Sequence, residues 1–140
     1  MNTKAVIFAA LGFLFASSMA GAADRTSTLD GTWKNTDAKT RGVVKITITV
    51  AGEKASIQAW GSCQPTPCDW GKTTMNLLGE SVDATELANG LAKWDTDFAD
   101  TYMTLRREGD ELVVATYTIF KDDSKRSNYR SSERFKLSKD

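Results

Sequence analysis

Gly42-Val43-Val44-Lys45-Ile46-Thr47-Ile48-Thr49-Val50 runs into Ala51-Gly52-Glu53 and then into Lys54-Ala55-Ser56-Ile57-Gln58-Ala59-Trp60. The period is two. Val44, Ile46, Ile48 and Val50 fall on one face of the first segment, with Lys45, Thr47 and Thr49 on the other. Ala55, Ile57 and Ala59 oppose Ser56 and Gln58 in the second. Such alternation, with β-branched residues and a glycine turn between the segments, predicts a hairpin of half-buried antiparallel strands.

The same pattern extends in both directions. Met103 and Leu105 alternate with Thr104 and Arg106, residues 111–120 are rich in β-branched and aromatic residues, and Tyr129, Phe135 and Leu137 are in phase. Glu108-Gly109-Asp110 and Lys121-Asp122-Asp123-Ser124-Lys125 separate these segments as turns. Eight strands are expected, at 31–36, 42–50, 54–60, 72–79, 91–97, 101–107, 111–120 and 126–137. Only 81–89 looks helical, for one turn at most. An eight-strand meander with short connections predicts an all-β, antiparallel up-and-down barrel, because closure removes both exposed edges. A two-sheet sandwich is the alternative, although its crossings need longer connections. Eight strands enclose a space that side chains fill or that holds one small ligand.

Both cysteines, both prolines and two of the four tryptophans lie within Trp60-Gly-Ser-Cys-Gln-Pro-Thr-Pro-Cys-Asp-Trp-Gly71. Residues 1–23 ahead of the barrel carry one lysine, a twelve-residue apolar run from Ala5 to Ala16, and small residues before Ala22 and Ala23. This predicts a signal peptide cleaved after Ala22 or Ala23, leaving 24–140 as a single domain. Twelve residues reach about 18 Å as a helix, short of the ~30 Å apolar core of a bilayer, so no stable membrane insertion is expected. In an exported chain, periplasmic or secreted, two cysteines five apart are most simply one disulfide, Cys63–Cys68.

Several chemistries lack their parts. The chain has no histidine, which removes the Ser-His and Cys-His dyads and the usual general base near neutral pH. Two cysteines without histidine leave zinc no ligand set, and Asp122-Asp123-Ser124 has too few ligands for a calcium loop. The carboxylate pairs Asp95 with Asp97 and Asp122 with Asp123 read as solvated turn and strand-end residues. With Lys4 removed, 17 basic residues face 18 acidic ones, giving no electrostatic basis for nucleic-acid binding. The expectation is a protein that is not an enzyme and uses neither cofactor nor metal.

Leu29-Asp30-Gly31-Thr32-Trp33 resembles the G-x-W opening of the calycin superfamily of lipocalins and avidins, and Trp33-Lys34-Asn35 resembles the first avidin strand. The resemblance implies an eight-stranded barrel plugged at one end by Trp33 and covered by a basic residue near the chain end. Arg126, Arg130 and Arg134 share a face opposite Tyr129, Phe135 and Leu137, so covering Trp33 requires a bulge or a rim position. The segment from Trp60 to Gly71 is similar to the W-G-x-C-x-P-x-x-C-x-W-G motif of a family of uncharacterised secreted bacterial domains, which implies fold and export but no activity.

Aromatic residues are the candidate contacts for a ligand. Trp60 and Trp70 flank the cysteine loop and either pack on the disulfide to close a barrel end or form a platform at its mouth. Trp94, Tyr117 and Tyr129 are expected to face inward. Glu133 falls in phase with Tyr129 and Phe135 on the apolar face. There it sits in water at the rim, pairs with an inward arginine such as Arg107, or anchors a ligand. The leading functional expectation is binding of a small apolar or amphipathic ligand. The alternative is a protein-interaction module such as a lipocalin-like protease inhibitor, with residues 24–29 as its arm, or a structural envelope protein with a filled core.

Overall fold

The computed structural model describes residues 24–139; the expected leader, 1–23, lies outside the described residues. Eight strands form one closed antiparallel barrel: β1 (Gly31–Asn35), β2 (Val43–Ala51), β3 (Lys54–Gly61), β4 (Cys68–Leu78), β5 (Asn89–Asp95), β6 (Ala99–Glu108), β7 (Glu111–Phe120) and β8 (Tyr129–Leu137). Each strand pairs with its sequence neighbour, and β8 returns to β1 through Trp33↔Leu137 and Asn35↔Phe135. No helix forms among the described residues. Residues 81–89 hold only a turn, closed by Ala84 N–H donating to Ser81 O at 3.2 Å.

Three local devices shift the strands from their expected bounds. A bulge between Val43 and Lys45 turns Val43 inward in place of Val44, so Val43 is 2% exposed. A second irregularity, opposite Gln58 and Trp60, passes through Gly71 at φ +81°. Glycine adopts that conformation without strain, which lets β4 continue back to Cys68 instead of starting at 72. At the other boundary, β8 starts at Tyr129 rather than 126. Asp122 accepts from Ser124 Oγ at 2.5 Å and from Arg126 Nη2 at 2.8 Å, which keeps that segment curled as a loop.

The middle of the barrel is filled. Ile46, Ile48, Ile57, Met103, Val114 and Phe135 are each no more than 1% exposed and pack in one cluster. Side chains thus replace any central cavity, as eight strands permit.

One end is sealed. The chain before β1 lies across it: Thr26 bridges Glu86 in parallel, Thr26 N–H donates to Thr85 O at 2.9 Å, and Leu87 N–H donates to Thr26 O at 2.8 Å. Beneath this strap Leu29 and Trp33 are fully buried, and Trp33 Nε1 donates to Leu29 O at 2.9 Å. The cation over the Trp33 ring is Arg107, 4.8 Å from its centroid. It comes from β6, not from the last strand, whose outward arginines point away. Arg107 also donates to Thr28 O at 2.9 Å and Gly109 O at 2.6 Å. Residues 24–29, considered above as an inhibitory arm, are therefore part of the seal.

Candidate functional site

The opposite end carries the loops 36–42, 62–67, 96–98 and 121–128. Its wall begins with the disulfide. Cys63 and Cys68 are bonded with Cα atoms 5.4 Å apart, pinning the β3–β4 connection. Trp70 then projects inward from the bulge and lies against Gly61, where a Cβ would meet Trp70 Nε1 at 2.9 Å. Glycine at that place is what lets the indole sit flat on β3. Trp94 from β5 meets Trp70 edge-on, with centroids 5.7 Å apart and planes at 83°, and its Nε1 donates to Gly71 O at 3.0 Å.

The far wall is Phe120 and Tyr129, whose centroids are 6.2 Å apart, and the turn before β6 adds Phe98. Arg126 lies over Phe120 at 4.1 Å and over Phe98 at 5.6 Å. Trp70, Trp94, Phe98, Phe120 and Tyr129 border a hollow of about 390 Å³. A second hollow of about 440 Å³ adjoins it, sharing Trp70 and Tyr129 and bounded by Arg41, Cys63, Thr116 and Ser131. Both are of ligand size, and both sit above the packed core rather than inside it.

Of the residues picked from sequence, Trp70, Trp94 and Tyr129 meet here; Trp60, Tyr117 and Glu133 do not join them. Trp60 faces outward on β3, with Lys45 Nζ 4.0 Å over its ring. Its strand partners explain this: Trp60 pairs with Lys45 on the polar face, while Ala59 and Gly61 face in. Tyr117 is also outward, beside Arg130, and 38% exposed. Both faces of β7 are apolar, so alternation alone gave no phase. The inner set is Leu112, Val114, Thr116, Thr118 and Phe120.

Glu133 does face inward on β8, and Arg107 is not its partner, being bound to Thr28 O and Gly109 O. Its carboxylate accepts from Val43 N–H at 3.0 Å, from Asn35 Nδ2 at 3.1 Å and from the Thr40 hydroxyl. Asn35 also donates to Val43 O at 2.8 Å. Glu133 thus fastens the 36–42 loop to the barrel, and its acceptors are occupied. Asp69 at the rim has its carboxyl held below the usual range by the Gln58 amide and by Gly71 N–H. Its oxygens lie 2.8 Å from Gln58 Nε2 and 2.7 Å from Gly71 N.

Phe98, Phe120, Arg126, Thr116 and Thr118 were not picked out from sequence. A phenylalanine inside the turn Thr96-Asp97-Phe98 was the one available signal, since an apolar ring in a polar turn has to find a neighbour. Among the described residues no three His, Cys, Asp or Glu side chains converge as a metal site. The opening offers aromatic faces, hydroxyls and two guanidiniums. No family model, curated protein or solved structure matches this chain.

Proposed function

We propose that this is an exported small β-barrel protein that binds a small apolar or amphipathic ligand at its open end. The observation that carries this reading is the aromatic hollow of about 390 Å³ at the end opposite the strap. Packing of the barrel interior limits the ligand to the mouth. The Cys63–Cys68 disulfide supports a compartment outside the reducing cytosol, and the leader-like residues 1–23 support export to the periplasm or beyond. The barrel with Trp33 buried near its start supports the calycin resemblance. The protein acts by binding, without a cofactor.

Titration with N-phenyl-1-naphthylamine, a neutral dye bright only in apolar surroundings, tests the reading. Dye emission should rise while tryptophan emission changes, and Trp70→Ala should weaken binding by about tenfold or more, as for a central aromatic contact. Removing residues 24–28 uncovers the opposite end and should lower stability, yet where that variant is folded its dye affinity should match the wild type. A folded protein that does not bind the dye overturns the proposal. N-terminal sequencing of protein from its host should begin at Ala23 or Asp24; a retained leader overturns export.

A further inference from the structure

The two hollows at the open end differ in chemistry. The first is walled by Trp94, Phe98 and Phe120. The second presents Arg41, Ser62, Thr116 and Ser131, with Trp70 and Tyr129 at the shared edge. Thr116 and Thr118 point inward on β7 and are only 4% and 6% exposed. Thr116 borders the second hollow and Thr118 the first, and the Arg41 guanidinium at the second forms no ion pair among the described residues. The Thr116 and Ser131 hydroxyls and the Arg41 guanidinium thus line one hollow.

The sign of that partner follows from the donor inventory. Arg41 and Trp70 Nε1 can only donate, and the hydroxyls of Thr116 and Ser131 can. The nearby carboxylates are already engaged: Glu133 by Val43, Asn35 and Thr40, and Asp69 by Gln58 and Gly71. An anionic head would find at Arg41 a guanidinium without an internal counter-ion among the described residues. We infer that the ligand is an amphipathic anion. Its apolar body lies against Trp94, Phe98 and Phe120, and its acidic head, a carboxylate, sulfonate or phosphate, lies beneath Arg41 on the Thr116 and Ser131 hydroxyls. This rests on the binding reading of the open end and goes beyond it by fixing charge and orientation.

Two dyes that differ in one group separate the claims. N-phenyl-1-naphthylamine is the ring system of 1-anilinonaphthalene-8-sulfonate without the sulfonate. The sulfonate dye should bind at least about tenfold more tightly, the worth of one charge-assisted contact, and salt should erode that advantage. Arg41→Gln with Thr116→Val should abolish the difference while leaving the neutral dye's affinity unchanged. Arg41→Gln alone, at an exposed side chain, should remove most of it without risk to folding. Equal affinities in the wild type, or a preference that survives Arg41→Gln, overturn the anion assignment and leave the binding reading standing. Failure of both dyes to bind folded protein overturns both.

Discussion

The two ends of the barrel are built from the same chemistry with opposite results. At the closed end an arginine lies over a tryptophan: Arg107 sits 4.8 Å from Trp33, and the indole is fully buried. At the open end an arginine lies over Phe120, and Phe98 and Tyr129 beside it remain 50% and 56% exposed. What differs is where the chain goes. Arg107 reaches across to Thr28 O on the strap, whereas Arg126 binds Ser124 and Asp122 of its own loop. The aromatic cluster under the strap is core, and the one at the opposite end keeps exposed rings. A tryptophan count therefore cannot separate a plug from a binding platform; connectivity does.

Truncating Trp33 should give the largest effect. Trp33→Ala empties a fully buried volume, which typically costs about 3–5 kcal/mol, a large share of the roughly 5–15 kcal/mol that stabilises a small domain. Urea denaturation should show that loss, while Trp70→Ala, at a half-open site, should cost less than half as much. Equal losses would mean that the open end is as much a part of the core as the closed one, and the contrast would fail.

Glu133→Ala comes next. It leaves Val43 N–H, the Asn35 amide and the Thr40 hydroxyl without their acceptor, which should cost roughly 2–3 kcal/mol. Glu133→Gln, which keeps one acceptor, should recover part of this. Hydrogen exchange should accelerate at Val43 and Gly42, at the open end, and stay unchanged at Trp33. A variant as stable as wild type, with Val43 still protected, would show that the 36–42 loop holds itself in place and Glu133 is spare.

The sequence disclosed the barrel more fully than the site, for physical reasons visible strand by strand. In β2 and β3 one face is Ile and Ala and the other Lys, Thr and Gln, so alternation gave both strand and phase. In β7 both faces are apolar, so the strand was legible but Tyr117 was assigned to the wrong side. The bulges at Val43 and at Trp70-Gly71 each shift the phase by one residue, and no composition signal marks them beyond the glycine. Glu133 was placed correctly on the inner face, because phase is local. Its partners were not, because Asn35 and Thr40 are 98 and 93 residues away in the chain. The mouth is formed by residues on four separate connections and strand ends. Phe98 and Arg126 became neighbours only through closure of the barrel.

Breaking the disulfide should have a smaller effect. The bond closes a loop of only six residues, for which chain entropy assigns about 2 kcal/mol. Cys63→Ser with Cys68→Ser should lower the melting temperature, yet leave the barrel folded and Trp33 buried. Because Cys63 lines the hollow beneath Arg41, the sulfonate dye should lose more affinity than the neutral one. Loss of cooperative unfolding would instead make this loop part of the folding core.

Acidification should give the smallest effect, confined to the open rim. On the outer surface Lys121 Nζ lies 2.6 Å from Asp95 and 3.0 Å from Asp100, and Lys93 Nζ lies 3.2 Å from Asp100. These contacts join the strands flanking the 96–98 turn to the start of the 121–128 loop, and they brace the two segments that carry Phe98 and Arg126. The Lys121 ammonium first, and then that of Lys93, holds the Asp100 carboxyl below its ordinary value of 3.8. Lys93 is raised above its ordinary 10.5 by Asp100, and Lys121 first by Asp95 and then by Asp100. The signs follow by linkage. The depressed carboxyl contributes stability that is fully present above 3.8 and is lost as pH falls through its folded value. The raised ammoniums contribute stability that is fully present below 10.5 and is lost as pH rises through theirs. Between those limits the rim brace should be independent of pH. Because it is exposed, salt should weaken it. The closed end is held mainly by backbone hydrogen bonds and buried apolar groups, and its one depressed carboxyl among the described residues, Asp83, is bound by the Ser81 hydroxyl in the 79–88 connection. Tryptophan fluorescence should therefore report acid loosening around Trp70 and Trp94 while Trp33 remains shielded from quencher. Asp100→Asn should reduce the acid step without loss of global stability, the remainder belonging to the depressed Asp69 and Asp122 carboxyls of the same rim. If quencher reached Trp33 at the same pH as Trp70, the two ends would be a single cooperative unit, and the difference between them would be one of exposure alone.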